Sequence, residues 1–229
     1  MQWYWLAEYS PLFLQGLLIT IELFVISIVV GMSLAIPIGL AQVTGPKLVA
    51  RIARGFCTAI RSTPLLIQLW LIHYGLGSLY PFIPGLQESF LWPILEEGFT
   101  SAAVALTLSV AGYEGEVMRS AFQGVPRGEL EAARAFGMSG YTTVRRVWLP
   151  RALQNVFPTL AGETILAMKA TALAGTIPVI DVYGASTLVR SETYRIYEPL
   201  LLIAVIYLLL TAVISMFFRW AEHRVPRPR

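Results

Sequence analysis

Charge is the first thing that this sequence lacks. Asp, Glu, Lys and Arg make up 14% of its 229 residues, whereas a soluble globular domain usually carries about a quarter. Hydrophobic residues make up 56%, and the mean hydropathy is +0.64. A spanning helix needs about 20 predominantly apolar residues, so a chain of this length has room for several spans but not for a separate soluble domain. We therefore predict one all-α membrane domain over residues 1–229.

Cysteine and the common catalytic motifs are also scarce. The single cysteine, Cys57, excludes an internal disulfide, and no Cys or His lies near it at a metal-ligand spacing. Cys57 is expected to be a small packing residue. The sequence contains no nucleophile–base pair, no HExxH metal motif and no phosphate-binding glycine loop. We therefore expect no catalytic site, metal site or bound cofactor in this chain, and no nucleic-acid partner.

Five apolar stretches are long enough to be membrane spans. The last has no charge, whereas Arg61 and Thr63 interrupt the second. Residues before the first span lack the basic region and the cleavage site of a signal peptide, so this span is expected to be retained. The predicted spans are 12–41, 56–76, 100–122, 157–180 and 199–218.

The distribution of cations predicts an orientation. In a five-span arrangement, 14 of the 17 Lys and Arg residues lie on one side, whereas residues 77–98 on the other side contain three glutamates and no cation. By the positive-inside rule, the N-terminus is outside and the C-terminus is cytoplasmic. Trp3, Tyr4 and Trp5 suit an interfacial aromatic belt, and Trp220 suits either a belt or an ordinary surface position.

A polar insert, residues 126–151, follows the third span on the cytoplasmic side. Pro126 and the acids Glu129 and Glu131 favour a helix start, and Gly137 suits its end. A second short helix is expected from about Tyr141, to be ended or kinked by Pro150. Two interpretations fit: a rigid dock for another protein, or an amphipathic hairpin on the headgroups through Arg145, Arg146 and Trp148.

The spacing within the insert resembles a specific motif. Ala132 and Ala133 follow Glu131, and Gly137 comes after three further residues. After nine further residues the chain has Val147, and after one more residue it has Leu149 and Pro150. This is similar to the EAA loop of ATP-binding cassette importer permeases, with valine replacing isoleucine. The matching residues are Glu131, Ala132, Ala133, Gly137, Val147, Leu149 and Pro150.

The resemblance extends over residues 12–222. "RSTPLLIQ" from Arg61, "GYEGEVMRSA" and "KATAL" look like polar amino-acid permeases. The resemblance implies a type I importer domain with five spans in a bacterial inner membrane. It also implies a second permease subunit, two cytoplasmic ATPases that bind ATP and Mg, and a periplasmic binding protein that delivers amino acids or opines.

The same resemblance implies roles within the insert. Glu131 would be the polar anchor toward an ATPase, and Ala132 and Ala133 would permit its close approach. Gly137 would supply the turn, and Leu149 with Pro150 would fix the return into the fourth span.

Charged residues inside spans are candidates for a functional role, because their burial is costly without a partner or water. They are Glu22, Glu114, Glu116, Glu163 and Lys169. Glu163 and Lys169 lie about 120° apart on an ideal helix, so they are poorly placed to pair with each other. By resemblance this region lines the path, where Glu163 would bind the cationic end of a basic amino acid or opine. The alternative is a buried hydrogen bond that joins spans.

Lys169 is expected to be structural or to gate the path, and Thr171 beside it is a further candidate for the path. Glu116 and Arg119, three residues apart, are expected to pair.

Arg61, Thr63 and Pro64 open the second span. There Arg61 either reaches the membrane interface or contacts the insert. His73 is expected to be a hydrogen-bonded packing residue. The function predicted is an importer permease subunit, with a stand-alone secondary transporter or channel as the alternative.

Overall fold

The computed structural model describes residues 5–224, and within that range every regular element is helical. The α-helices are α1 (Trp5–Thr44), α2 (Lys47–Ser62), α3 (Leu65–Trp70), α4 (Trp92–Glu96), α5 (Gly98–Gln123), α6 (Arg127–Ala135), α7 (Gly140–Thr143), α8 (Leu149–Ala170), α9 (Val182–Thr193) and α10 (Tyr197–Glu222). Two π-helical turns, Leu71–Gly75 and Val144–Trp148, extend α3 and α7, and short 3₁₀ turns cover Tyr80–Phe82 and Thr171–Thr176.

Glycines allow α1 and α5 to pack closely along most of their length. A Cβ placed at Gly31 would lie 2.6 Å from the Cβ of Val110, and one at Gly39 would lie 2.6 Å from the Cβ of Met118. The eight-residue steps on both helices show that they run parallel. Small residues let membrane helices approach until their backbones touch, which gains dispersion contacts that lipid cannot replace. This pair is the central support of the fold.

Two of the described helices, α1 and α10, are individually long and apolar enough to cross a membrane. The segment formed by Lys47–Ser62 and Leu65–Phe82 would be a third, but the two parts are bent by 103°. The predicted second span, 56–76, crosses this bend and is therefore not one straight helix. The bend is caused by Pro64, which holds the preceding Thr63 in an extended conformation with φ −111° and ψ 138°.

The fourth predicted span is displaced along the sequence. Helix α8 starts at Leu149 and ends at Ala170, so it begins and ends about eight to ten residues before the predicted stretch 157–180. After the 3₁₀ turn the chain is extended, and the 12-residue helix α9 follows, which the sequence analysis missed. The missed signal was Asp181, whose Oδ1 accepts the N–H of Gly184 at 2.7 Å as a helix cap.

Three apolar clusters hold the helices together. The first joins α1, α3, α5 and the 3₁₀ turn after α8 through residues such as Leu23, Leu69, Leu106 and Ala174. The second joins α1, α9 and α10, and the third joins the ends of α5 and α8 around Phe122. The third cluster supports the polar insert.

Candidate functional site

Helix α6 of the insert ends at the glycine that the sequence indicated. Gly137 has φ +76°, a left-handed conformation that residues with a Cβ rarely adopt. Its N–H donates to the carbonyl of Arg134 at 2.9 Å, and the N–H of Met138 donates to that of Ala133 at 3.1 Å. These two bonds form a Schellman cap, which satisfies carbonyls at the helix end. The predicted helix end at Gly137 is confirmed.

The second helix of the insert differs from the prediction at Pro150. Ser139 caps α7 by accepting the N–H of Thr142 at 3.3 Å, and the chain then stays helical through the π turn into α8. Pro150 does not end it, so the predicted helix end at Pro150 was wrong. The N–H of Leu149 donates to the carbonyl of Val144, five residues back, and this wider turn lets the helix pass a proline that has no N–H to donate.

Side-chain bonds fix the insert to the helices on either side. The guanidinium of Arg151, in α8, donates to both carboxylate oxygens of Glu129, in α6, at 2.6 and 2.9 Å. The indole of Trp148 donates to the carbonyl of Phe122 at 2.8 Å, and the two rings pack edge to face at 5.5 Å. The insert is therefore a firmly positioned projection of the helix bundle.

The Glu129–Arg151 pair predicts a pH dependence. Arg151 holds the pKa of Glu129 below its usual value of 4.5, mainly through the hydrogen bond. A lowered folded-state pKa stabilises the fold above the unfolded-state pKa, and this contribution is lost as the pH falls through the folded value. We expect the amides of α6 to be strongly protected from exchange at pH 7, relative to the intrinsic rate at the same pH, and less protected once the pH falls through the lowered pKa of Glu129.

A matched comparison separates this pair from general acid effects. In Glu129→Gln, the protection of the α6 amides should already be lower at pH 7, and this protection should change little with acid. Equal protection of the α6 amides in Glu129→Gln and the unmodified chain, with the same pH dependence, would show that the pair does not hold α6.

Two aromatic side chains of the insert are uncovered. Phe136 is 85% exposed and Tyr141 74%, one on each side of Gly137. Glu131, Ala132 and Pro150 are also exposed, whereas Ala133 is buried and Val147 and Leu149 are partly buried. No ion pair or hydrogen bond of the Glu131 side chain occurs among residues 5–224. A rigid projection with aromatic rings at its tip is suited to insertion into another protein.

A second site lies inside the helix bundle. A cavity of about 220 Å³ between α5 and α8 contains two carboxylates, Glu114 and Glu163. Glu114 is 4% exposed, and its Oε2 has no hydrogen-bond partner within the described range. The remaining lining is Ser27, Leu65, Leu106, Ser109, Val110, Tyr113, Leu166, Ala167 and Ala170. A partly apolar cavity with two acids suits a ligand with a cationic end and an aliphatic body.

The structure separates the three predicted path residues. Glu163 lines the cavity, but Lys169 and Thr171 do not. Lys169 is exposed on another side of α8, and Thr171 is buried with its hydroxyl donating to the carbonyl of Met168 at 2.7 Å. Glu114, which the sequence analysis named without a role, is the partner of Glu163 in the cavity. No sequence signal showed this, because the two acids lie 49 positions apart on different helices.

Several local predictions are confirmed. Nε of Arg119 donates to Glu116 at 2.9 Å, and Nδ1 of His73 lies 3.2 Å from the hydroxyl of Ser101. Cys57 is 1% exposed within the packing of α2.

The bend at Pro64 has its own bonds, and Arg61 lies beside the cavity. The amide of Gln68 donates to the hydroxyl of Thr63 and to the carbonyl of Ile60, both at 2.7 Å. The guanidinium carbon of Arg61 lies 5.8 Å from the ring centroid of Tyr113, which lines the cavity. In the structure Arg61 thus contacts α5.

Comparison with known proteins gives consistent matches over most of the chain. The family described as "Binding-protein-dependent transport system inner membrane component" matches residues 27–227. The octopine transport system permease protein of Rhizobium meliloti is 36% identical, over 96% of this chain and 94% of its own length. The histidine/lysine/arginine/ornithine transport system permease protein of Escherichia coli strain K12 is 34% identical, over 91% and 87% respectively.

A solved structure supports the same match. The crystal structure of an amino acid ABC transporter with histidines contains a chain with a TM-score of 0.82 and 31% identity, covering 98% of this chain and 99% of that chain. A chain of the MetNI methionine ABC transporter in an inward-facing conformation has a TM-score of 0.74 at 21% identity, covering 95% and 98%, and shows the shared fold alone.

Proposed function

Because the chain belongs to the family of binding-protein-dependent transport system inner membrane components, we propose that it is the permease subunit of an ATP-binding cassette importer for amino acids or opines. The observation that carries the proposal is the rigid insert, whose exposed tip has no role in a stand-alone channel or secondary transporter. The chain has no catalytic role of its own in this proposal. ATP and Mg bind to two separate ATPase subunits, and a periplasmic binding protein delivers the cargo.

The insert is the surface that we assign to the ATPase. Phe136 and Tyr141 provide the apolar contact, Glu131 a polar anchor beside it, and exposed Ala132 leaves room for close approach. Gly137 and the Schellman cap set the angle between α6 and α7. Val147, Leu149 and Pro150 carry a movement of the insert directly into α8, since the helix continues through them without interruption.

Removal of one exposed ring tests this assignment. The complex is extracted from its native membrane and purified through a C-terminal tag. We expect the amount of ATPase subunit that purifies with Phe136→Ala to be lower than with the unmodified chain by about tenfold or more. An interface anchor of this kind typically contributes about 2 kcal/mol or more. The measurement is the mass and subunit composition of the purified complex.

Phe90→Ala is the matched control, because Phe90 is also 85% exposed but lies between α3 and α5, away from the insert. It should retain the ATPase. If neither the unmodified chain nor Phe136→Ala purifies with an ATPase in any gentle detergent, the insert rests on lipid headgroups and the channel alternative gains support.

The acidic cavity supports a cationic cargo. Glu114 and Glu163 converge on one space, and the lining contains no Lys or Arg. The aliphatic part of an arginine-like side chain would lie against Leu106, Val110 and Leu166, with its charged end at the carboxylates. The permease of Escherichia coli named above is described as a histidine/lysine/arginine/ornithine system, which agrees with this chemistry.

The proposed topology places the insert in the cytoplasm of a bacterial cell and the chain in its inner membrane. Five crossings are formed by α1, the part of the bent segment from Leu65 to Phe82, α5, α8 and α10. Helix α9 has 12 residues, or about 18 Å, which is too short to cross a bilayer. The positive-inside rule then places the N-terminus outside, since α1 and α5 run parallel and α5 leads into the insert.

Exposed charges on the bundle support a second permease subunit. Glu22 and Lys169 are both exposed. Each is next in the sequence to a residue of the first apolar cluster: Glu22 precedes Leu23, and Lys169 precedes Ala170. Lipid tails solvate such charges poorly, so this side must face protein or a water-filled path. Between residues 205 and 217, the large exposed side chains of α10 are apolar instead and suit lipid: Val205, Leu208, Leu209, Val213, Met216 and Phe217.

A further inference from the structure

Helix α2 has three distinct sides. One side packs on the bundle through Cys57, which is its single fully buried residue and lies 3.4 Å from the amide nitrogen of Gln42. A second side, the α2 basic face, consists of Lys47, Arg51 and Arg54. A third, the α2 apolar face, consists of Leu48, Ile52 and Ala59. At 100° per residue, the centres of the basic face and the apolar face lie about 110° apart around the helix axis.

The basic face is exposed and has no counter-charge of its own. Lys47, Arg51 and Arg54 are all exposed, and none forms an ion pair within residues 5–224. Helix α2 contains no Asp or Glu. The carboxylate that interacts electrostatically with Arg54 is Glu116 of α5, and Glu116 already accepts a hydrogen bond from Arg119. The patch therefore has a net positive charge that the chain leaves unneutralised.

The apolar face is equally uncovered. Leu48 is 65% exposed and Ile52 is 64% exposed, so these aliphatic side chains find no partner within the described part of the chain. A helix that carries large apolar side chains on one side and Lys and Arg on the adjacent side is typical of one lying in a membrane interface. The 103° bend after Ser62 supports this, because it turns α2 away from the direction of the segment that follows.

We propose that α2 lies in the cytoplasmic headgroup layer and binds anionic phospholipids. Leu48 and Ile52 enter the acyl region, while Lys47, Arg51 and Arg54 bind headgroup phosphates. Helix α2 begins three residues after α1 ends and leads through Thr63 into the wall of the acidic cavity at Leu65. Lipid composition would therefore act on a segment that connects the membrane surface to the cavity.

Charge complementarity favours lipid over a protein at this surface. The three cations lie beside exposed aliphatic side chains, and a single surface that offers both phosphates and hydrocarbon is a bilayer. The insert, by contrast, presents aromatic rings at the tip of a rigid projection. The two surfaces thus have different chemistry, although both lie on the cytoplasmic side.

Lipid titration tests the proposal without requiring transport or the ATPase. The purified chain, in its native complex or alone, is titrated with phosphatidylglycerol and with phosphatidylcholine, and bound lipids are counted by native mass spectrometry. The unmodified chain should bind phosphatidylglycerol preferentially. Arg51→Gln/Arg54→Gln should weaken this binding by about fivefold for each cation removed.

Arg51→Lys/Arg54→Lys is the matched control, since it keeps both charges and should bind phosphatidylglycerol as the unmodified chain does. Equal binding of the two lipids, or unchanged phosphatidylglycerol binding in the glutamine variant, would overturn the proposal. Loss of the ATPase from the glutamine variant, with lipid binding unchanged, would assign the basic face to the partner protein instead.

Discussion

Glu163→Gln is expected to lower ATP-dependent uptake of arginine by about 10- to 100-fold. The substitution keeps the size of the side chain and removes its charge, so a cationic cargo loses a charge-assisted hydrogen bond in a partly apolar cavity. Hydrogen bonds to charged groups contribute about 1.5–3 kcal/mol, which corresponds to this range. The measurement is uptake of labelled arginine into proteoliposomes that contain the complete importer and its binding protein.

Two further variants sharpen this test. Glu114→Gln should also lower arginine uptake, because Glu114 lines the same cavity, whereas Glu88→Gln, in the segment between α3 and α4, should not. ATPase subunits should remain bound to all three. If arginine uptake and its preference over glutamine are unchanged in Glu163→Gln, the carboxylate joins helices and does not bind cargo.

Gly31→Leu is expected to lower the stability of the chain strongly. A Cβ at this position would lie 2.6 Å from two carbon atoms of Val110, and neither helix backbone can move without separating α1 from α5 along their whole contact. Overpacking of this kind typically costs about 1–3 kcal/mol, and a longer side chain in a backbone contact lies at the upper end. The measurement is the melting temperature of the detergent-solubilised chain, followed by size-exclusion chromatography.

Gly55→Leu provides the comparison. Gly55 is also within a helix, but no atom lies within 4 Å of a Cβ placed there, so its substitution should leave the melting temperature nearly unchanged. A melting temperature for Gly31→Leu equal to that of the unmodified chain would mean that α1 and α5 do not depend on this close approach.

Local features of the candidate site were predictable from the sequence. Gly137 ends α6 because its missing Cβ permits the left-handed turn, and Glu116 meets Arg119 because residues three apart share one side of a helix. His73 and Cys57 were correctly interpreted as packing residues. The EAA spacing identified the insert, since the motif lies within twenty consecutive residues.

Features that depend on helix ends were predicted less well. The apolar composition continues through Ile180, but the helix stops at Ala170 and α9 starts after Asp181. At Pro150 a helix end was predicted, but the helix continues, because the preceding π turn accommodates the proline. Hydropathy measures whether a segment belongs in a membrane, whereas breaks are set by backbone hydrogen bonds that composition does not report.

The sequence by itself determined that this is a helical membrane protein with a polar, motif-bearing insert, because these properties follow from composition and short-range spacing. Only the tertiary structure decided that Glu114 and Glu163 share a cavity while Lys169 faces outward. It also decided that Phe136 stays exposed although it is aromatic, and that α2 leaves both a basic and an apolar face uncovered. These outcomes depend on which side of each helix packs against its neighbours, and helix packing joins residues that are far apart in the chain.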